Sequence, residues 1–161
     1  MPEKIKVALV GLGNCFSGLI QGIEFYSKNP SQKVTGIIHE NLRDYTIHDI
    51  EFVAGFDVGA NKIGKPINEA IYESPNMVDW IDKNDMPKAN GNVYESPALD
   101  GVGIWVENKV KPIESGKSES ELREEIIKVL EETGTEIIVS YLPVGSEKAT
   151  QFWAQVCLDT N

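Results

Sequence analysis

The 161-residue sequence predicts an α/β fold, in which helices cover both faces of a doubly wound parallel sheet. Two observations carry this prediction. Short β-branched apolar runs alternate with segments of helical periodicity, in the order β-α-β-α-β-α-β-α, and such alternation produces parallel strands joined by right-handed crossovers. The first apolar run also ends in a glycine-rich turn that leads directly into a helix.

The first strand-helix unit has clear boundaries. Ile5–Val10 is a short apolar run closed by glycine, which is typical of a strand buried on both faces of a sheet. Either Asn14 or Ser17 is predicted to cap the following helix. Residues 29–31 are expected to end it, because they include a proline. The predicted apolar stripe of this helix consists of Leu19, Ile20, Ile23 and Tyr26.

The middle of the chain is less regular. Residues 31–49 carry mixed signals and predict an extended excursion, after which Glu51–Asp57 is predicted to form a second strand that ends in a carboxylate. The remaining elements predicted here are a turn at Lys62–Gly64, a short helix at Ile67–Tyr72, a loop-rich region over residues 73–91 and a third strand at Asn92–Tyr94.

The clearest helix that the sequence predicts lies in the last third of the chain. Ser118–Thr133 begins with a capping-box pair, Ser118 and Glu121, and is followed by Gly134 as its terminator. Glu136–Leu142 is predicted to be a buried strand, and Ser146–Asp159 an amphipathic helix. The side chains expected to face inward are Leu122, Ile126, Val129 and Leu130 from the first helix, and Ala149, Phe152, Trp153 and Val156 from the second.

Composition argues against several classes of protein. The 25 acidic residues outnumber the 15 basic ones, which gives a net charge of -10, the opposite of what binding to nucleic acid requires. The two cysteines and two histidines lack metal-ligand spacing, and two distant cysteines make no disulfide framework. No apolar run approaches the ~20 residues of a membrane span. We therefore expect a cytoplasmic protein that binds neither nucleic acid nor membrane and holds no metal.

The first strand-to-helix turn is a partial dinucleotide-binding motif. Gly11 and Gly13 stand where two glycines let the backbone approach a pyrophosphate at a helix N-terminus. The third glycine of G-x-G-x-x-G is replaced by Phe16, but that position serves helix packing, and Ser17 and Gly18 follow it. On this turn alone, a nucleotide site and a strand-turn-helix joint without a ligand both stay open.

Asp57 favours the nucleotide interpretation. It ends the second predicted strand, where this fold places an acid that accepts a hydrogen bond from a ribose 2′-hydroxyl. Its carboxylate repels a 2′-phosphate, so NAD is favoured over NADP, although Lys62 and Lys65 lie near enough in the sequence to soften that preference. The distance from Gly13 exceeds the usual ~20 residues, so residues 31–49 are interpreted as an insertion. The alternative is that Asp57 is a turn or cap residue.

Two further segments are expected near a ligand. Residues 139–146 place polar groups at the carboxyl end of the fourth strand, where ligands bind in open α/β sheets. They are equally consistent with a plain strand-loop-helix joint, in which Pro143 adds rigidity, Gly145 forms the turn and Ser146 caps the helix. Leu99–Gly103 could bring backbone close to a ligand, or could be an ordinary glycine loop.

Four motifs occur in one order along the chain. They are Gly11-Leu-Gly-Asn-Cys15, then Phe52-Val-Ala-Gly-Phe-Asp-Val58 with Lys62-Ile-Gly64, then Leu99-Asp-Gly-Val-Gly103, and then Ser140-Tyr-Leu-Pro-Val-Gly-Ser-Glu147. Together they resemble the bacterial and archaeal form of myo-inositol-1-phosphate synthase (inositol-3-phosphate synthase). The first turn of that family is G-x-G-N-C and has no third glycine, so the resemblance accounts for Phe16.

The resemblance implies an NAD-dependent isomerase that acts on glucose 6-phosphate. Such enzymes oxidise C5 with NAD, remove a proton from C6, close the C6 enolate onto the C1 aldehyde and return the hydride. By position, the resemblance implies the following cofactor contacts: Gly13, Asn14 and Cys15 at the pyrophosphate, with Gly11 in the same turn, Asp57 at the adenosine ribose, Ser140, Leu142 and Pro143 at the nicotinamide half, and Asp100 and Gly101 elsewhere along the cofactor.

Members of this family are much longer, and their catalytic domain with its lysines has no counterpart in this sequence. Residues 1–161 are therefore interpreted as the N-terminal portion of an NAD-binding Rossmann-like domain, incomplete at its C-terminus, with no catalytic residue. Alone, it is expected to bind NAD weakly or not at all and to leave the strand at 136–142 at a sheet edge. The resemblance implies a homotetrameric enzyme of inositol and phospholipid biosynthesis.

Two other functions stay open from the sequence. The chain could belong to another NAD-dependent dehydrogenase, or it could be a non-catalytic nucleotide-binding module.

Overall fold

The computed structural model describes residues 3–29, 37–88, 90–104 and 107–160. The strands are β1 (Ile5–Val10), β2 (Ile50–Asp57), β3 (Asn92–Glu95) and β4 (Ile137–Ser140), and the helices are α1 (Asn14–Lys28), α2 (Ile67–Ala70), α3 (Glu119–Thr133) and α4 (Glu147–Asp159). All strand pairs are parallel, in the order β3-β2-β1-β4. The predicted α/β fold with a parallel sheet is confirmed.

Alternating side chains of β1 divide the core into two halves. Val7 and Leu9 pack on the face covered by α1 and α2, whereas Ala8 and Val10 pack on the face covered by α3 and α4. Because both faces are covered, β1 is apolar throughout its buried part, as the sequence predicted. The carboxyl ends of the parallel strands consequently meet at one edge of a three-layer structure.

Helix α1 begins without a side-chain cap, so the prediction that Asn14 or Ser17 caps it is wrong. Gly13 occupies the N-cap position, and no side chain accepts from the first turn. The predicted stripe is also displaced, since Leu19 is 37% exposed. The buried residues are Phe16, Ser17, Ile20 and Gln21. Two of these are polar and bind backbone of a distant segment, which hydrophobic periodicity cannot reveal.

Helix α3 follows its sequence signals closely. The Ser118 hydroxyl accepts from the Glu121 N–H, and the Glu121 carboxylate accepts from the Ser118 N–H at 2.8 Å. Gly134 ends the helix in the left-handed conformation, with φ 63°. The predicted capping box and glycine terminator are therefore both confirmed. The inward residues predicted for α4 are confirmed as well, since Ala149, Phe152, Trp153 and Val156 are buried.

Strand β4 is shorter and more exposed than predicted. It spans Ile137–Ser140 rather than 136–142, and Ile137 is 46% exposed, so the expectation of a buried strand is wrong. The reason is its place in the sheet: among the described strands, β4 has β1 as its single neighbour. The expectation that this strand lies at a sheet edge is confirmed.

The irregular middle of the chain is only partly described. Residues 30–36 lie outside the described ranges, so the predicted terminator of α1 and the start of the 31–49 excursion cannot be followed; the helix itself ends at Lys28. Further on, short 3-10 turns occupy Ile47–Asp49 and Lys83–Asp85. Within the described ranges, no helix is long and apolar enough to cross a bilayer.

Candidate nucleotide site

The carboxyl ends of β1, β2 and β4 open onto a cleft of about 310 Å³. Ligands of open α/β sheets bind in this crevice, beyond the carboxyl ends of the strands. The predicted site residues that line it are Gly11, Gly13, Asn14, Asp57, Gly101, Leu142 and Pro143. The others, Cys15, Asp100 and Ser140, lie outside its lining. The fold thus brings together residues from four distant parts of the sequence.

The turn after β1 requires glycine at position 11, and the N–H groups of its two glycines are hydrogen-bonded within the protein. Gly11 has φ +81°, and a Cβ there would stand 3.4 Å from the Tyr141 carbonyl oxygen. Its N–H donates to the Phe56 carbonyl at 2.9 Å, and the Gly13 N–H donates to the Gly11 carbonyl at 2.8 Å. Because these amides bind within the protein, an anion must be met by the amides that follow them.

The first turn of α1 supplies those donors. Within the described part of the chain, the N–H groups of Asn14 and Cys15 have no protein partner. Free N–H groups at a helix N-terminus, together with the helix dipole, attract anions. The Asn14 side chain does not compete for them, since its Oδ1 accepts from the Met77 N–H at 2.8 Å. This end of α1 is therefore suited to a phosphate group.

Asp57 ends β2 at the cleft and is only 8% exposed. Its Oδ2 accepts from the Leu12 N–H at 2.9 Å, and its Oδ1 accepts from the Gly59 N–H at 2.8 Å. The ammonium of Lys62 lies 3.3 Å from Oδ2. A carboxylate offers about four acceptor positions. Oδ1 consequently retains one position for a further donor, such as a ribose hydroxyl, even though Asp57 also has a structural role.

The structure shows that Lys62 and Lys65, which the sequence alone could not tell apart, have different partners and different exposure. Lys62 is 4% exposed, and its ammonium donates to the Leu12 carbonyl at 2.8 Å as well as contacting Asp57. Lys65 instead pairs with Glu73 at 2.6 Å and has a side chain that is 39% exposed. Of the two, it is therefore Lys62 whose charge belongs to the site.

Asn76 is a site residue that sequence reasoning missed. Its Nδ2 donates to the carbonyls of Leu12 and Ile71, at 2.8 and 2.9 Å. Nearby, Gln21 of α1 donates to the Val78 carbonyl at 2.8 Å. These contacts hold the loop after α2 over the glycine turn. No motif marks Asn76, because its partner Leu12 is 64 positions away in the sequence.

Asp100 caps a helix. Its carboxylate accepts from the N–H groups of Lys148 at 2.8 Å and Ala149 at 2.9 Å, at the start of α4. These hydrogen bonds hold the pKa of Asp100 below its usual value; the bond from Lys148 has the larger effect and the bond from Ala149 the smaller. Ser146 stands at the N-cap position, but its hydroxyl donates to the Pro143 carbonyl instead. A contact between Asp100 and a cofactor stays a prediction.

The end of β4 borders the cleft through apolar groups. Ser140 pairs in register with Val10, and Leu142 and Pro143 then turn along the cleft wall. Tyr141 packs its ring on that of Phe16, with 4.4 Å between the ring centroids. Phe16 is completely buried. The residue at the third glycine position thus fills the space between α1 and the end of β4.

The chain is similar to the sequences of two inositol-3-phosphate synthases. It is 39% identical over 157 residues to that of Mycolicibacterium smegmatis and 40% identical over 161 residues to that of Corynebacterium glutamicum. These alignments cover 97% and 96% of this chain but 41% of each relative, so the chain spans about two fifths of their length. The resemblance drawn from the motifs is thereby confirmed. No protein-family model matches the chain.

Two solved structures share the fold. The crystal structure of Ari2 superposes with a TM-score of 0.77 at 25% identity, over 98% of this chain and 44% of that one. A myo-inositol-1-phosphate synthase-related protein from Thermotoga maritima superposes with a TM-score of 0.71 at 20% identity, over 96% of this chain and 44% of that one. At that lower identity, the likeness concerns the fold alone.

Proposed function

We propose that this chain is the NAD-binding part of an inositol-3-phosphate synthase, which isomerises D-glucose 6-phosphate to 1D-myo-inositol 3-phosphate. One observation carries the proposal: the segments through which the chain resembles these enzymes converge on a single cleft at the carboxyl ends of the strands. The similarity to named synthases over 97% of the chain supports the same conclusion.

The residues at the cleft fit the parts of NAD. The free N–H groups of Asn14, in the cleft lining, and of Cys15, next to it in the chain, are suited to the pyrophosphate. The remaining acceptor position of Asp57 Oδ1 is suited to a 2′-hydroxyl of the adenosine ribose. Leu142 and Pro143 offer an apolar border for the nicotinamide half. When bound, NAD supplies the hydride acceptor and returns the hydride within the same turnover.

We assign no catalytic residue to this chain. Of the charged residues that line the cleft, Asp57 and Lys62 are paired with each other and Lys109 is exposed, and most of the remaining lining is glycine and apolar side chain. Glucose 6-phosphate as substrate, a homotetrameric assembly, a cytoplasmic location and a place in inositol and phospholipid biosynthesis are proposed for the whole enzyme on the family resemblance.

An NMR titration tests the binding step on this chain. Because binding is expected to be weak, NAD is added to millimolar concentrations to ¹⁵N-labelled protein. We expect the amide resonances of Asn14 and Cys15 to shift, while that of Gly134, at the opposite end of the sheet, stays in place. Asp57→Ala should reduce the apparent affinity. Since the turn after β1 and the start of α1 are formed in this chain, we expect weak binding rather than none. A folded wild-type chain in which the amides of Asn14 and Cys15 do not respond to NAD would contradict the proposal.

A further inference from the structure

Two buried charges of opposite sign lie at the proposed ribose position, and the further charged residue in the lining of the cleft, Lys109, is exposed. The Lys62 ammonium lies 3.3 Å from Asp57 Oδ2, and the two side chains are 5% and 9% exposed. Solvent and salt screen such a buried pair little, so the two opposite charges act on each other strongly and largely cancel for a third charge farther away. Asp57 therefore does not present the full negative charge that its position in the fold suggests.

The position of Lys62 is fixed by its hydrogen bonds. Its ammonium meets the Leu12 carbonyl at 2.8 Å, Asp57 Oδ2 at 3.3 Å and Asn76 Oδ1 at 3.5 Å. An ammonium has three donors, and each of them has an acceptor here. Lys62 consequently acts on a ligand through its field and through Asp57 rather than by direct contact.

We propose that Lys62 sets the selectivity of this site between dinucleotides with and without a 2′-phosphate, acting through Asp57. The inference rests on the proposed NAD-binding function. An unpaired carboxylate repels a 2′-phosphate, and Lys62 offsets much of that repulsion. What remains in favour of NAD is the hydrogen bond from the 2′-hydroxyl to Asp57. Lys62 is thus a positioning residue, and the preference for NAD over NADP is smaller than a lone acid would give.

The test compares the two members of the ion pair. Dissociation constants for NAD and NADP are measured by NMR titration of the full chain, and the ratio Kd(NADP)/Kd(NAD) is the readout. Lys62→Gln keeps a donor for the Leu12 carbonyl but removes the charge, so the ratio should rise by about fivefold or more. Asp57→Asn should lower it, because the ammonium is then unopposed. A purely structural effect weakens both dinucleotides together and leaves the ratio unchanged.

Lys65→Gln is the matched control, because Lys65 pairs with Glu73 and not with Asp57. It removes the same charge three positions further along the sequence. Its ratio should stay close to that of the wild type. A Lys65→Gln effect as large as that of Lys62→Gln would overturn the assignment to Lys62, since net charge alone would then explain both.

Removing one partner of a buried ion pair can unfold a protein. The double variant Asp57→Asn/Lys62→Gln carries neither charge, and its comparison with Asp57→Asn isolates the Lys62 charge without leaving a lone buried carboxylate. The ratio should be higher in the double variant. Equal ratios would overturn the role of Lys62 while leaving NAD binding intact. If neither dinucleotide binds the folded wild-type chain, the proposed function and this inference fail together.

Discussion

The peptide groups of Leu12 are held by side chains on both sides. Its N–H donates to Asp57, and its carbonyl accepts from Lys62 and Asn76. Asp57 and Lys62 are buried and charged, and Asn76 is half-buried, so the turn between Gly11 and Gly13 is fixed before any ligand arrives. A pre-formed turn loses little conformational entropy on binding. Since the Leu12 N–H is already bound to Asp57, the N–H groups that are free for an anion lie in the first turn of α1.

Phe16 shows how a motif can lose a residue and keep its geometry. In the G-x-G-x-x-G pattern the third glycine lets helix and strand approach closely. Here the ring of Phe16 is completely buried and packs on Tyr141. The space that a glycine would leave open is occupied by an aromatic side chain that belongs to the core around Leu9 and Leu12.

Replacing Phe16 by the glycine of the G-x-G-x-x-G pattern should therefore destabilise the protein. Phe16→Gly removes a fully buried ring and adds a flexible residue to a helix, so we expect a loss of about 3–5 kcal/mol in the free energy of unfolding. Urea denaturation followed by circular dichroism measures this loss. Phe16→Leu, which keeps most of the volume, should cost roughly 1 kcal/mol. A Phe16→Gly variant as stable as the wild type would show that the ring is not part of the core.

At the scale of elements, α4 is capped by a residue from another part of the chain. Ser146 has the right type and position for an N-cap, yet its hydroxyl turns back to Pro143. The free N–H groups at the start of α4 are met by Asp100, 48 and 49 positions away in the sequence. This long-range cap fastens the 96–102 loop to α4, beside the cleft wall formed by Gly101 and Leu142.

The Asp100 cap predicts a dependence of stability on pH. The hydrogen bonds from Lys148 and Ala149 lower the pKa of Asp100 in the folded chain below the ordinary value of 3.8. Its stabilising contribution is therefore fully present above that value and is lost as the pH falls through the folded pKa. We expect Asp100→Asn to melt at a lower temperature than the wild type at pH 7, and the difference in Tm to shrink below about pH 4.

Thermal denaturation from pH 7 down to about pH 3 measures that difference. Glu124→Gln serves as the control, because Glu124 is exposed on α3. Its Tm should follow that of the wild type at every pH. A difference between Asp100→Asn and the wild type that stays constant with pH would mean that the ionised carboxylate does not carry the cap.

At the scale of the whole molecule, features that depend on neighbouring residues could be predicted from the sequence, whereas contacts between distant segments could not. The strand β1, the capping box of Ser118 and the left-handed Gly134 depend on a few neighbouring residues, and each was predictable from the sequence. The contacts of Asp57 and Lys62 with Leu12 and the Asp100 cap depend on segments that meet only in the folded chain. The sequence located the cleft through its glycines and Asp57, but it could not show which polar groups were already bound to each other.

The charge of the whole chain is a further property with a consequence for stability. With 25 acidic and 15 basic residues, the net charge is -10. Several ion pairs lie at the surface, such as Lys117–Glu125 at 2.6 Å and Lys128–Glu132 at 3.7 Å. Exposed pairs of this kind contribute little, whereas the repulsion of a large excess of one sign destabilises the compact state.

Added salt should therefore stabilise this chain. Potassium chloride screens the repulsion among the excess carboxylates more than it weakens the few surface pairs, so we expect Tm to rise between about 0.02 and 0.5 M salt, with most of the rise below about 0.2 M, where the Debye length changes most. Choline chloride should give a similar rise, because screening depends on ionic strength and not on the identity of the cation. A Tm that falls with both salts would show that attraction within the surface ion pairs outweighs the repulsion.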